Sequence, residues 1–352
     1  MKRKIVILEL WGLGDLTFCT GFVRRALQAG HEVHLLGKPY AAALLGPSFP
    51  EVRFHTLDAP WTVFRGKYHF WKWNWKELGR VLGRLRQERF DAAVSVRRDP
   101  RDHLLMRLLG VRERYGFPKW GSDRLGLLNR PVPQTSPMQH RVEDWSELAK
   151  AVGLGNGELL PPTLSRFPTP RITALLEKAG GQPVLCVHTG ARIAVRRWPE
   201  PYFQELLARI RQHCRFHIVL VPDPDGYGRG LAPLADQVAD GLNLEELADL
   251  LGRSDLLLCN DSGPGHIAAA LNRPVIALFG PTEPRWFRPW GAHQKVILRD
   301  YCPKRPCFDY CPFPEPYCLT RLHPDEVWPE VQKHLHDLVR ECMIPSHSLN
   351  LP

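Results

Sequence analysis

No apolar run in this 352-residue chain approaches the ~18 residues that a membrane-spanning helix needs. The first apolar stretch, Ile5-Val6-Ile7-Leu8, is too short for a secretory signal, and Glu9 and Asp15 interrupt the residues after it. It reads as a first β-strand, and the expected compartment is the cytoplasm. Acidic side chains are the scarcer sign of charge: 37 against 47 Lys and Arg, a net of +10. That imbalance favours anionic partners such as nucleic acid, anionic lipid or phosphorylated substrates. Zinc-finger, RRM and homeodomain patterns are missing, so no specific nucleic-acid recognition is expected. A Cys-x2-Cys knuckle is missing too, although the chain has nine cysteines. Cys19, Cys186, Cys214, Cys259 and Cys342 stand in mostly apolar context and read as small buried hydrophobes. Cys302, Cys307, Cys311 and Cys318 cluster. A zinc site is one reading of them; a Pro-rich loop, Cys-stapled or simply carrying thiols, suits the spacing better. No metal site and no cofactor are assigned.

What the chain does have is alternation of short apolar runs with helical periodicity. Residues 4–10, 32–36, 52–57 and 91–96 read as strands, and 16–29, 76–89 and 101–109 as helices. Gly30 stands where a helix ends in the left-handed conformation. Residues 153–171 lose the periodicity and hold Pro161, Pro162, Pro168 and Pro170, a linker composition. The alternation then restarts. Strands are expected over 183–188, 216–221, 255–259 and 274–280, and helices over 199–211, 244–251, 267–271 and 325–338. The tail 344–352 reads as disordered. The fold class is therefore α/β, with two doubly wound domains, 1–160 and 161–352. Such domains bind ligands at the carboxyl ends of their strands, and a cleft between the two is expected.

The richest segment is Asp261-Ser262-Gly263-Pro264-Gly265-His266, between a buried strand and a helix. A helix N-terminus there offers free N–H groups and a positive dipole end to an anion. Gly263 and Gly265 would let the backbone approach a phosphate, and Asp261 and His266 add side chains for hydroxyls or a phosphate oxygen. The fitting ligand carries phosphate and polyol together, as a nucleotide sugar does. The plainer reading makes Asp261 and Ser262 a helix cap.

Two other strand ends carry chemistry. The turn Trp11-Gly12-Leu13-Gly14-Asp15 starts like a dinucleotide fingerprint but has Thr17 where the third glycine belongs. Asp15 there repels a phosphate. A carboxylate at a helix start suits a general base or a simple N-cap, and the matching donor site in the other half favours the base. After residues 183–188 come Arg192, Arg196 and Arg197, three cations placed to neutralise a diphosphate, or else a solvated charge run.

These stretches together resemble glycosyltransferase family nine, the lipopolysaccharide heptosyltransferases. The resemblance rests on Gly14-Asp15, on His188-Thr189-Gly190-Ala191 with Arg196-Arg197-Trp198-Pro199, and on Asn260 to Ala270 with Phe279-Gly280-Pro281-Thr282-Glu283-Pro284. It implies a GT-B fold, inversion at the anomeric carbon and no obligatory metal. It casts Asp15 as the catalytic base and Asp261 as the holder of donor-sugar hydroxyls. Ser262, Gly263 and His266 become the phosphate-binding turn, Arg196 stands where a basic residue, usually lysine, meets the donor phosphate, and Leu242 falls beside the adenine. Thr189 and Arg192 complete the donor set. The family's Gly-rich turn is replaced by Pro222-Asp223-Pro224-Asp225-Gly226, which weakens a ribose role for Asp225.

Residues 61–76 interleave Trp61, Phe64, Tyr68, Phe70, Trp71, Trp73 and Trp75 with Arg65, Lys67, Lys72 and Lys76. Aromatics and cations together suit a membrane interface or an anionic glycolipid, and a packed loop with a basic rim is the alternative. Gly14, Arg65, Lys67 and Lys72 are the acceptor-side candidates. The expected activity is transfer of a heptose-like sugar from a nucleotide diphosphate sugar, ADP-linked by the resemblance, to an anionic glycolipid of the lipopolysaccharide core. The expected setting is the inner membrane surface, with peripheral attachment. A different sugar or acceptor, or a non-catalytic nucleotide-sugar or nucleic-acid binder, are the rival readings.

Overall fold

The computed structural model describes residues 2–62 and 69–338, with side chains to residue 335. Phe64, Arg65, Lys67, Tyr68, Cys342 and the tail 344–352 lie outside the described residues. The chain forms two compact units, Met1–Ser165 and Arg166–Pro352.

The first unit is built on a parallel sheet of six strands: β1 (Lys4–Glu9), β2 (Glu32–Gly37), β3 (Arg53–Thr56), β4 (Ala92–Ser95), β5 (Glu113–Gly116) and β6 (Arg130–Pro131). Their order is β3-β2-β1-β4-β5-β6. Ile5, Val6, Ile7 and Leu8 are all fully buried, as a central strand covered on both faces requires. The order reverses between β1 and β4, so the carboxyl ends of those two strands open a crevice for ligand.

The second unit repeats the plan with β7 (Val184–His188), β8 (His217–Val221), β9 (Gln237–Val238), β10 (Leu256–Asn260), β11 (Val275–Leu278) and β12 (Gln294–Ile297). The order is β12-β11-β10-β7-β8-β9, with the switch between β7 and β10. The last helix, Pro324–Leu338, lays Val327, Val331 and Leu335 onto the core that holds Trp198 and Phe203. That i, i+4, i+8 row is the apolar stripe of an amphipathic helix.

Several elements differ from the sequence expectation. The single helix over 16–29 is two helices, Leu13–Phe18 and Thr20–Gln28. The break has a local cause. The Thr17 and Thr20 hydroxyls donate to Gly14 O (2.7 Å) and Thr17 O (2.8 Å), and the Cys19 thiol donates to Leu16 O (3.1 Å). Side-chain bonds to nearby carbonyls compete with the helical ladder. The helix expected over 267–271 starts earlier, at Gly263. Helix Arg141–Val152 is additional to the expected elements; Gly153 ends it at φ 84°, and its buried Val142, Trp145, Leu148, Ala149 and Val152 keep helical spacing. β5 and β6 are additional as well, being too short and too polar to show periodicity.

Candidate active site

In the second unit the site forms where β7 and β10 end. Asp261 follows β10 and is nearly buried. Its Oδ2 accepts a hydrogen bond from Thr282 Oγ1 (2.6 Å) and lies 3.5 Å from the Arg196 guanidinium. Arg196 reaches the other way to Asp309 Oδ1 at 2.7 Å. Asn260 ties the region together: Trp198 N donates to its Oδ1 (3.0 Å), and its Nδ2 donates to Thr189 O (2.6 Å). One asparagine thereby fixes the loops after β7 against the turn after β10.

Ser262 occupies the N-cap position of helix Gly263–Ala270, yet its side chain makes no capping bond; its hydroxyl donates to Asn260 O (3.1 Å). A pure cap is therefore not what this residue provides, and the first-turn N–H groups suit an anion. His266 is buried in that turn. Gly265 has a packing role: a Cβ there would sit 3.2 Å from Cys259 Sγ, so its small size lets the helix press on β10.

The arginines behave differently from one another. Arg192 is exposed, without a side-chain partner among the described residues. Arg197 is spent on Asp223 and Asp225, each at 2.7 Å, and lies over the Tyr227 ring. Asp225, weighed for the donor ribose, is thus ion-paired with Arg197 and remains exposed. Thr189 is fully buried, with its hydroxyl 3.4 Å from Tyr227 O, so it ties loops together instead of reaching solvent. Leu242 is half-buried, just ahead of helix Leu244–Arg253.

The Cys-rich loop docks here. Arg305 donates to Thr282 O (2.7 Å), and the Cys307 and Phe308 amides donate to Pro281 O (3.0 and 3.1 Å). All four clustered thiols are free; burial and the neighbouring thiols push Cys318 up to about 12. Among the described residues, the group of three whose ligand atoms converge within 4.8 Å is Glu32, His34 and Glu88. The Lys4 ammonium already sits there, 2.9 Å from Glu88 and 3.5 Å from Glu32.

In the first unit the site forms where β1 and β4 end. Asp15 lies in the first turn of helix Leu13–Phe18. The Gly12 amide donates to its Oδ2 (3.4 Å). Its Oδ1 lies 3.6 Å from Arg97 and 3.9 Å from Arg141. Beneath it, Glu9 is buried, and that burial with the Asp15 charge pushes its carboxyl well above the usual range. Trp11 donates its indole N–H to Asp102 (3.1 Å) and Trp61 donates to the same carboxylate (2.7 Å). Gly14 stands in the same turn, and its carbonyl is taken by Thr17.

The aromatic segment splits in two. Trp61 is buried and Trp73 packs against it at 5.6 Å, which removes both from any docking surface. Phe70, Trp71 and Trp75 are 53%, 74% and 55% exposed, beside exposed Lys72 and Lys76.

Sequence reasoning gave Asn260 and Thr282 no role of their own within the motifs that held them, and it missed Asp309 on one side and Glu9, Arg97 and Arg141 on the other. Arg97 and Arg98 come just after Val96 at the end of β4, the same kind of signal that marked Arg196. Asp309 is 113 residues from its partner and had no local signal.

Two doubly wound units, each with its polar residues at a topological switch point, make up the GT-B fold. The family profile of glycosyltransferase family 9 (heptosyltransferase) matches residues 78–316, more than half of the chain. The chain belongs to that family. It is 28% identical over 282 residues to lipopolysaccharide heptosyltransferase 1 of Pseudomonas aeruginosa, covering 74% of this chain and 78% of that one. Its fold matches E. coli ADP-heptose lps heptosyltransferase II with a TM-score of 0.71 at 21% identity, over 95% of this chain and 99% of that one. It also matches E. coli heptosyltransferase WaaC with ADP-2-deoxy-2-fluoro heptose (TM-score 0.67, 20% identity, 94% and 99%).

Proposed function

We propose that this chain transfers heptose from ADP-heptose to an anionic glycolipid of the lipopolysaccharide core, with inversion and without a metal. Family membership supports the sugar, and the Pseudomonas relative's name supports the acceptor class. The observation that carries the mechanism is the Asp15 carboxylate beyond the end of β1, one oxygen on the Gly12 amide and the other buried without a hydrogen bond, facing Arg97 and Arg141. Asp15 takes the proton of the acceptor hydroxyl as its oxygen attacks the anomeric carbon. The bond to the diphosphate breaks, and ADP leaves with the electron pair. Arg192, Arg196 and the turn from Ser262 to His266 balance the charge that collects on the departing phosphates. Asp261 holds hydroxyls of the donor sugar, and Leu242 adjoins the adenine. The first unit takes the acceptor and the second the donor.

No helix among the described residues is long and apolar enough to cross a membrane. A lipid-linked acceptor is then met by surface attachment, and exposed Phe70, Trp71 and Trp75 beside Lys72 supply the chemistry for it, with Arg65 and Lys67 adjoining in sequence. On this reading the protein works at the cytoplasmic face of the inner membrane. The test is direct: ADP-heptose plus core glycolipid should release ADP in the presence of a chelator, and the new linkage should have the opposite anomeric configuration to the donor. Absence of transfer with this donor, or loss of turnover on chelation, overturns the proposal.

A further inference from the structure

We propose that the outer side of helix Pro100–Leu108, with the turn Lys119–Ser122 beside it, is a second lipid contact of the first unit and seats Trp120 and Leu125 among the headgroups of an anionic bilayer. Its bearing on the reaction rests on the proposed transfer to a glycolipid; the face itself rests on a strained tryptophan, its apolar neighbours and the sign of the charge around them.

The Ser122 amide donates to Lys119 O (3.1 Å) and the Lys119 amide to Ser122 Oγ (3.2 Å), which closes a tight turn. Both central residues are left-handed, Trp120 at φ 51° and Gly121 at φ 73°. Such a turn favours Asn, Asp or Gly at both places. A bulky Trp in that conformation is strained. The fold returns little for it: the ring is 79% exposed, and the group over it is the ammonium of its own neighbour Lys119, at 4.7 Å. Strain of this kind persists where a function uses it. An indole with a cation at its face, standing in water, suits the headgroup layer.

Trp120 is not alone. Leu125, whose amide donates to Gly121 O (2.9 Å), is 69% exposed. Gly126 O accepts from Arg107 Nη1 (2.8 Å), which fastens the segment to the helix. On that helix Leu104 and Leu108 stand one turn apart and exposed, while Leu105 and Met106 enter the core. Apolar side chains gathered in this way mark a contact surface, where single ones do not.

From residue 101 to residue 125 the exposed charged side chains are Arg107, Arg112, Lys119 and Arg124, all cations. The acids are covered: Asp102 is buried under the Trp11 and Trp61 N–H groups, Glu113 pairs with Arg3 and Arg130, and Asp123 is half-buried. An apolar face ringed by cations alone fits anionic headgroups over acyl chains. The helix also anchors the other exposed aromatics, since Asp102 holds Trp61 and Trp73 packs on Trp61. Two lipid contacts tied to one helix act jointly, so losing either releases the protein.

The test is sedimentation of the full chain with vesicles of equimolar phosphatidylcholine and phosphatidylglycerol, and with vesicles of phosphatidylcholine alone. The wild type should bind the anionic vesicles and leave the neutral ones. Trp120→Ser with Leu125→Ser should weaken that binding by about tenfold or more, with ADP affinity unmoved. Trp120→Gly should weaken it too while holding or raising the melting temperature, because glycine takes the left-handed turn without strain. That readout separates a lipid contact from a packing role. Undiminished binding by the double variant, equal binding to both kinds of vesicle, or a melting temperature that falls in Trp120→Gly overturns the inference. A concentration-dependent dimer that the double variant abolishes assigns the face to a second copy of the chain and overturns it as well. Trp120-dependent vesicle binding without heptose transfer instead overturns the proposed function and leaves this face standing.

Discussion

Asp309, from the Cys-rich loop, holds the guanidinium of Arg196 at 2.7 Å, while Asp261 holds the same group at 3.5 Å. Arg196 Nε is buried without a partner. The arginine is therefore aimed from both ends before any donor arrives. Asp261→Ala removes the carboxylate proposed to hold the donor sugar and the acceptor of Thr282 Oγ1, leaving a buried hydroxyl unsatisfied. Donor affinity should fall by about tenfold or more, the size of a lost charged hydrogen bond. His266→Ala should weaken it as well. Calorimetry with ADP-heptose reads both; unchanged affinity in the pair would reduce the turn to a structural cap.

Asp15→Asn should keep donor affinity and the melting temperature near wild type and lower kcat by ~10²-fold or more, as loss of a general base does. The amide still occupies the space of the carboxylate beside Gly12. Single-turnover kinetics at saturating donor check this. A variant with near-normal kcat would mean that some other group takes the proton.

Asp102 gives a pH-dependence with a definite sign. Burial raises it from 3.8 to about 6, against the opposing pull of the two tryptophan N–H donors. A carboxyl raised on folding contributes stability that is fully present below its unfolded value and is lost as pH climbs through the folded one. Between pH 3.8 and pH 6 the wild type should therefore lose about 3 kcal/mol relative to Asp102→Asn, taking two pH units at 1.36 kcal/mol each. Groups distant from Asp102 titrate alike in both proteins, so the difference reports this residue together with its neighbours Glu9 and Asp99. Urea unfolding at several pH values measures it, and parallel stability curves would show that Asp102 is ionised freely in the fold.

The sheets were legible because β1, β7 and β10 are unbroken apolar runs, buried on both faces. The turn from Asp261 to His266 was legible as a strand-to-helix junction because its residues are contiguous. Helix Arg141–Val152 escaped because its N-cap is His140, whose ring accepts from Val142 N, an uncommon capping side chain. The break at Cys19 depends on hydroxyl and thiol rotamers that periodicity does not encode. The arginines beside Asp15 escaped for a different reason: Arg97, Arg141 and Asp15 come from three segments far apart in sequence. Trp61 groups with its exposed neighbours in the sequence because composition alone cannot separate an indole bonded to a buried carboxylate from one facing solvent.

The Cys-rich loop should act through Arg305 and Asp309, not through its thiols. Among the described residues no three of its cysteines converge as ligands, and the loop is already fastened by Arg305 and two amides. Cys307→Ser and Cys311→Ser should leave turnover within about threefold, since neither removes a contact to the donor-side residues. Asp309→Asn, by contrast, should raise the donor KM. Metal analysis of the purified protein is the companion measurement. One stoichiometric zinc or iron atom, lost in the serine variants together with activity, would reverse this assignment.

The rings of Phe70, Trp71 and Trp75 are largely exposed: Trp71 is 74% exposed, Phe70 and Trp75 each touch the Trp73 ring by one side (5.3 Å), and the Trp75 indole donates to Phe70 O (2.9 Å). Keeping them in water costs transfer free energy that a lipid interface returns, while Lys72 and Lys76 add about 1 kcal/mol each near an anionic surface. Replacing Trp71, Lys72 and Trp75 together with Ser should release the protein from anionic vesicles and raise the KM for lipid-linked acceptor. Trp73 is left alone because it packs on Trp61. The donor KM should not change, because the residues proposed for the donor belong to the other unit. Added salt should weaken vesicle binding of the wild type, since screening shortens the reach of exposed charge to ~8 Å or less. Vesicle binding that survives the triple variant, or a parallel rise in both KM values, would show that this face serves the fold of the loop and not a membrane.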